Sequence, residues 1–468
     1  MANNNHSIKG IMRLVISALR GEEKEFTKGS INRAIVLLSI PMIAEMIGEA
    51  LFAVVDMIFV SRISVNAMAT VALTETPLMI IYSMAVGLSM AATATVARRI
   101  GEKEPEKASN AGFQAILLAV VVGIVLGIPG FFFAENILTL MGGEPDMVQE
   151  GVGYTRIMYA GNLSIVLIFL INGIFRGAGN ASIAMKSLLL ANALNIILDP
   201  VFIFGVGPIP AFGIEGAAIA TTTGRTIGVL FQLFHLFNGS ALVKLGWKNL
   251  VIRIQIIREL IVIASAGVGQ FIVESLSWLF LVKIVAEFGT EVVAGYQMSF
   301  RVIVFTLLPS WGMANAAATL VGQNLGAGKP ERAESSVWRT ALWNTIFLVI
   351  VATTFSIFAE VVLSVFNQSG LVLKTAISAL RIICFGYIFF AYGMVVGQAF
   401  NGAGDTKTPL FISLAVFWVV QIPLAYLLAI HYNWGPNGVF LCIALCHSLY
   451  AVVAISLFKR GGWKTVQV

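Results

Sequence analysis

Five acidic residues stand inside strongly apolar stretches: Glu45, Glu49, Asp56, Asp199 and Glu274. An ionisable group in lipid costs about 2.5 to 3.5 kcal/mol on insertion scales, so one that is retained there is a functional candidate by default. On a helix turning 100° per residue, Glu49 falls roughly 40° and Asp56 roughly 20° from Glu45. These three therefore form one acidic stripe, expected to face a polar cavity; interhelical ion pairing is the competing reading. Asn195 and Asp199 lie one turn apart on one helix face. With Asp56 and Thr221 at similar depth, they form a candidate all-oxygen cluster, Asp56, Asn195, Asp199 and Thr221. That chemistry suits a hard, small cation such as Na+ or a shared proton. Glu274 stands as far beyond Glu49 in the chain as Gly326 stands beyond Gly101. Gln270, Gln297 and Gln398 are candidates to line the same cavity as Glu274, although interhelical hydrogen bonding explains such residues equally well. Lys283 is half a rotation from Glu274 and cannot be its neighbour on that helix face; it snorkels or pairs with another span. Pro41 and Pro423 suggest kinks.

The elements that must carry these residues follow from composition. Among 468 residues, 58% are hydrophobic and 12% charged, with a mean hydropathy of +0.89, whereas soluble domains carry about 25% charged residues. The solvent is therefore lipid, and the expected fold is an all-α polytopic membrane protein. Stretches long enough to cross about 30 Å of hydrocarbon run over 34–60, 77–97, 113–134, 153–175, 184–206, 214–237, 259–286, 295–322, 337–362, 376–399, 409–430 and 437–458. With the N-terminus inside, 23 of the 30 basic residues fall on inner segments and 4 on outer ones, so both termini are expected in the cytoplasm. Arg176 is counted with the inner loops, and Arg225, Lys283 and Arg301 remain within spans. The net charge of +6 then reports cytoplasmic loops and not nucleic-acid binding. Residues 7–20 alternate basic and apolar types as an amphipathic helix on the inner membrane surface would.

An internal repeat organises the spans. Gly101-Glu-Lys-Glu-Pro105-Glu-Lys107-Ala108 recurs as Gly326-Ala-Gly-Lys-Pro330-Glu-Arg332-Ala333, and Gly177-Ala-Gly179 as Gly402-Ala-Gly404, while Gly87 and Gly312 keep the same offset along the chain. Six spans return the chain to its starting side, so the repeats are parallel, related by a pseudo-two-fold axis along the membrane normal. The expected plan is a cytoplasmic segment 1–33, a six-helix lobe 34–237, a linker 238–258, a second lobe 259–458 and a cytoplasmic tail 459–468.

Other chemistry is absent from the pattern. Cys384, Cys442 and Cys446 sit in apolar runs and read as packing residues. His6, His235, His431 and His447 form no metal spacing. No phosphate-binding loop of the Walker type occurs, which argues against ATP-driven transport, and the N-terminal apolar run is too short for a secretory signal.

Together these motifs resemble the multidrug and toxic compound extrusion (MATE) family. The likeness rests on Pro41 with Val55-Asp56-Met57, Arg176-Gly-Ala-Gly-Asn180, Asn195-Ile-Ile-Leu-Asp199-Pro200, Gly216-Ala-Ala-Ile-Ala-Thr221, Gln297, Gly322-Gln-Asn-Leu-Gly326 and Gly402-Ala-Gly-Asp405. The resemblance implies two six-helix lobes in a V that exchange Na+ or H+ for amphipathic, often cationic, organic compounds. It implies cation coupling at Asp56, Asn195, Asp199 and Thr221, and a substrate cavity with Glu45, Glu49, Glu274, Gln270 and Gln297. Phe390 stands where some members carry a further acid, so coupling is placed in the N-terminal lobe. The expectation is a monomeric exporter in the cell membrane, without cofactor, enzymatic activity or nucleic-acid partner. The competing transport reading is a lipid-linked oligosaccharide or lipid flippase of related architecture, which calls for a more cationic central cavity.

Overall fold

The computed structural model describes residues 8–22, 25–238, 242–249 and 251–468. His6 and Lys24, with parts of the expected N-terminal segment and linker, lie outside them. A lipid-embedded backbone must satisfy its own polar groups, which leaves helices for an unpaired apolar segment. The chain forms α1 (Ile8–Arg20), α2 (Ile31–Val60), α3 (Val65–Gly101), α4 (Pro105–Phe132), α5 (Ala134–Leu140), α6 (Pro145–Ala160), α7 (Asn162–Gly177), α8 (Ala181–Phe204) and α9 (Ile214–Phe237). It continues with α10 (Ile254–Ala286), α11 (Thr290–Gly326), α12 (Pro330–Ser364), α13 (Gly370–Phe385) and α14 (Tyr387–Ala403), then α15 (Lys407–His431) and α16 (Pro436–Lys459). Several starts are written locally. Ser64 accepts a hydrogen bond from the Ala67 amide at 2.9 Å, and Pro105, Pro330 and Pro436 take first-turn positions where no amide hydrogen is needed.

Among the described residues, ten helices are long and apolar enough to cross a membrane, α6 and α7 together counting as one; the bent α13–α14 pair brings the number to eleven. The span expected at 214–237 is the 24-residue α9, which is not among the ten; Thr221, Thr222, Thr223 and Arg225 interrupt its apolar run. The span expected at 376–399 is broken, bending 57° between α13 and α14. At Pro423 the chain answers with wide π turns on either side, Leu414–Gln421 and Leu427–His431, while α2 runs through Pro41 as one helix. A further kink sits at Phe358 in α12, away from any proline.

Burial divides the molecule in two. One apolar cluster gathers residues between Val60 and Ala264, another those between Leu281 and Trp463. A smaller third cluster joins them at the end that carries both termini, where Ala18 of α1 meets Ile35, Leu38 and Met42 of α2 and Ala316 and Leu320 of α11. Thus α1 docks one side on the bundle, while Met12 and Ile16 on its other side remain exposed.

The halves meet with the reciprocity of a two-fold contact. A Cβ on Gly101 would stand 2.0 Å from the Gln323 carbonyl oxygen, and one on Gly326 would stand 2.1 Å from that of Arg98. Gly101 and Gly326 are equivalent positions of the repeat, and so are Arg98 and Gln323. Gly87 presses on Ala264 and Val268 of α10, and Gly312 on Met42 and Ile43 of α2, where Ile43 and Val268 are again equivalent. The repeat in the sequence is therefore a repeat in space, and α3 packing on α10 is mirrored by α11 packing on α2. The same end is tied further: the Phe26 amide donates to Gln323 Oε1 at 3.2 Å, and Arg98 donates to the Ala403 and Val466 carbonyls at 3.2 and 3.0 Å.

Candidate functional site

Asn195 and Asp199 come together because an i, i+4 pair on α8 shares a face, and α9 packs its Thr221 against them. Asn195 Nδ2 donates to Asp199 Oδ1 at 3.2 Å and to Thr221 Oγ1 at 3.0 Å. All three side chains are buried, Asp199 completely. Among the described residues, Asp199 Oδ2 and Asn195 Oδ1 have no hydrogen-bond partner. Asp56 is a charged neighbour of Asp199, as are Glu75 and Arg225 of Asp56; among the described residues Asp56 has neither a hydrogen bond nor an ion pair of its own. The arrangement is two carboxylates, an amide oxygen and a hydroxyl. No group of three His, Cys, Asp or Glu side chains converges as a metal cluster among the described residues, so any cation here would rely on neutral oxygens as well as charge.

The acidic stripe on α2 needs correction. Glu45 does not reach a cavity: it is 1% exposed, accepts from Asn172 Nδ2 at 2.9 Å and pairs with Arg176 at 3.7 Å. Arg176 in turn is no loop residue, since α7 extends to Gly177 and buries it; it donates to Ser89 Oγ at 2.9 Å. Glu49 pairs with Arg225 Nη2 at 3.6 Å. Bases on neighbouring helices thus answer two of the three stripe acids, as the ion-pairing reading required, and Asp56 is the exception.

Between the halves lies a cavity of about 260 Å³ lined by Met46, Glu49, Tyr82, Phe169, Arg176 and Asn315 among others. It shares Phe271, Trp311 and Gln398 with a second cavity of about 390 Å³ in the C-terminal half. Glu274 opens onto that second cavity and accepts from Ser413 Oγ at 3.3 Å. Gln270 lines it too, but its amide is engaged by Asn401 Oδ1 at 3.0 Å and the Thr406 carbonyl at 2.7 Å. Gln297 lines neither cavity; Gln398 does. Phe390 stacks on His447 with ring centroids 4.0 Å apart, and Phe417 stacks on Tyr450 at 5.5 Å, so this wall is aromatic. Lys283 is exposed.

Residue-by-residue reading missed Glu75, Tyr82, Arg225 and His447. Glu75 was hidden because the apolar run starts at Pro77, whereas α3 begins at Val65 and carries Glu75 within it. The signal for Arg225 was its presence in a span, for which no partner could be named from spacing.

A helical bundle with a buried carboxylate short of a partner and a chamber between two repeated halves has the build of a membrane transporter. The MatE family model matches residues 41–201 and 268–427, one match in each repeat and more than half of the chain. The chain belongs to the MatE family, a family of membrane transporters. A protein described as a probable multidrug resistance protein NorM from Thermotoga maritima is 24% identical over 442 residues, 93% of each chain. An FAD transporter from Shewanella oneidensis is 24% identical over 440 residues, 92% of this chain and 95% of its own. A solved structure described as the outward-facing conformation of a multidrug resistance MATE family transporter superimposes with a TM-score of 0.88 at 27% identity, covering 95% of this chain and all of that one.

Proposed function

We propose that this protein is a secondary active multidrug exporter of the cell membrane, antiporting Na+ or H+ against amphipathic, often cationic, organic compounds by alternating access. The observation that carries the reading is the buried Asp199 carboxylate, one oxygen of which has no partner among the described residues, beside Asn195 and Thr221 and near an Asp56 that makes no ion pair among them. Unpaired buried charge is unfavourable, so this set calls for an exchangeable cation. Asp199, Asn195 and Thr221 supply oxygens fit for Na+, and the same carboxylates could hold a proton. The lobes are taken as 34–237 and 259–458, acting as a monomer with both termini cytoplasmic. On that orientation, the close-packed end at Gly101 and Gly326 is the inner one, and the chamber belongs to an outward-facing state. If ion and substrate favour different states or compete for carboxylates, each weakens the other's binding by the same factor, and that reciprocity is antiport.

The names of the relatives, multidrug resistance protein among them, agree with export of organic molecules. The test is uptake of a fluorescent organic cation by sealed proteoliposomes under separately imposed Na+ and H+ gradients. Acceleration by one gradient is expected, and indifference to both would remove ion coupling.

A further inference from the structure

Arg225 is a buried cation whose ion pair and hydrogen bond go to Glu49 and Tyr82 and not to the coupling cluster. It sits midway along α9, 7% exposed, held between the rings of Phe52 and Tyr82 with centroid distances of 5.6 and 5.7 Å. It donates to Tyr82 Oη at 3.0 Å. Its approach to Glu49, 3.6 Å, is an ion pair longer than a hydrogen bond. Glu49 is one-quarter exposed, lines the chamber between the halves and accepts no hydrogen bond among the described residues. The Glu45–Arg176 pair differs, because Glu45 is sealed and fixed by Asn172.

We propose that Arg225 is a tethered counter-cation which a cationic substrate displaces from Glu49, so that loading the N-terminal side of the chamber is an exchange of one cation for another. The proposal rests on the reading of the chamber as a site for organic cations. A guanidinium stays charged at any physiological pH, so it can give up Glu49 only by changing partners. The partners are at hand: Asp56 and Glu75 are also within its electrostatic reach. The molecule contains its own comparison. Glu274 and Tyr450 hold in the second repeat the positions that Glu49 and Arg225 hold in the first, and both line the C-terminal cavity. The fold thus accepts a neutral residue at the position equivalent to Arg225, which argues that the base serves the chamber more than the packing.

The experiment is equilibrium binding of radiolabelled tetraphenylphosphonium to the purified full-length protein in detergent, without any ion gradient. R225Q is expected to bind at least tenfold more tightly than wild type, R225K like wild type, E49Q more weakly, and E49Q/R225Q no differently from E49Q. Unchanged or weaker binding by a folded R225Q overturns the proposal while leaving the cationic chamber intact. No binding by wild type or any variant overturns the cationic reading and the proposal with it. Should R225Q fail to insert, E49Q and E49Q/R225Q carry the test, since any further change on removing Arg225 from E49Q contradicts an action through Glu49. A gain in FAD binding that depends on Arg225 would instead make the guanidinium a receptor for anions and overturn the exchange.

Discussion

Gly101→Ala should shift the protein away from the state in which the inner end is closed. The added Cβ would lie 2.0 Å from the Gln323 carbonyl oxygen, whereas a carbon–oxygen contact needs about 3.3 Å. The obstacle is backbone at the end of α11, so the halves must separate by roughly 1 Å or strain against each other. Overpacking of this kind costs about 1 to 3 kcal/mol, which at 1.4 kcal/mol per tenfold lowers the closed-to-open ratio by about 5- to 140-fold. Alanine also favours helix over glycine by about 1 kcal/mol, but α3 stays helical in both states and that gain cancels. Spin labels at Glu106 and Glu331, exposed starts of α4 and α12, would report the separation; Cys384, Cys442 and Cys446 are buried and leave labelling clean. Gly326→Ala, the reciprocal contact, should act in the same direction. Gly112→Ala, whose Cβ meets its nearest neighbour at an ordinary 3.6 Å, should not. An unchanged distance distribution in a folded Gly101→Ala protein would show that this contact does not hold the end closed.

Three further outcomes are expected. Asp56→Asn should abolish ion-driven efflux in proteoliposomes while the protein inserts and elutes as wild type, because nothing structural leans on its carboxylate; wild-type efflux would take Asp56 out of the mechanism. Glu45→Gln should instead lower stability by about 3 kcal/mol, the low end for breaking a buried pair since Arg176 reaches the chamber, seen as a fall in thermal midpoint in detergent; an unchanged midpoint would mean that Arg176 is satisfied without it. Glu274→Gln should slow transport or narrow the range of cations carried without ending coupling, measured across several labelled cations, and equal rates for all of them would leave Glu274 a structural role.

Local and periodic features were legible in the sequence. Apolar run length set the helices because lipid offers the backbone no other partner, the constant offset between the repeats set the two-fold relation, and the one-turn spacing of Asn195 and Asp199 set their contact. Each of these depends on a single helix or on the order of helices. What the stripe on α2 faces depends on which helices stand beside it and how they are rotated. Tertiary packing put Arg176 of α7 and Arg225 of α9 opposite Glu45 and Glu49 of α2, from helices that are remote along the chain. It turned Gln297 away from the chamber and Gln398 into it, and left Asp56 without an ion pair among the described residues. Helical periodicity fixes the angle between side chains on one helix; only the packing of neighbouring helices fixes which of them meets a charge, an amide or open space.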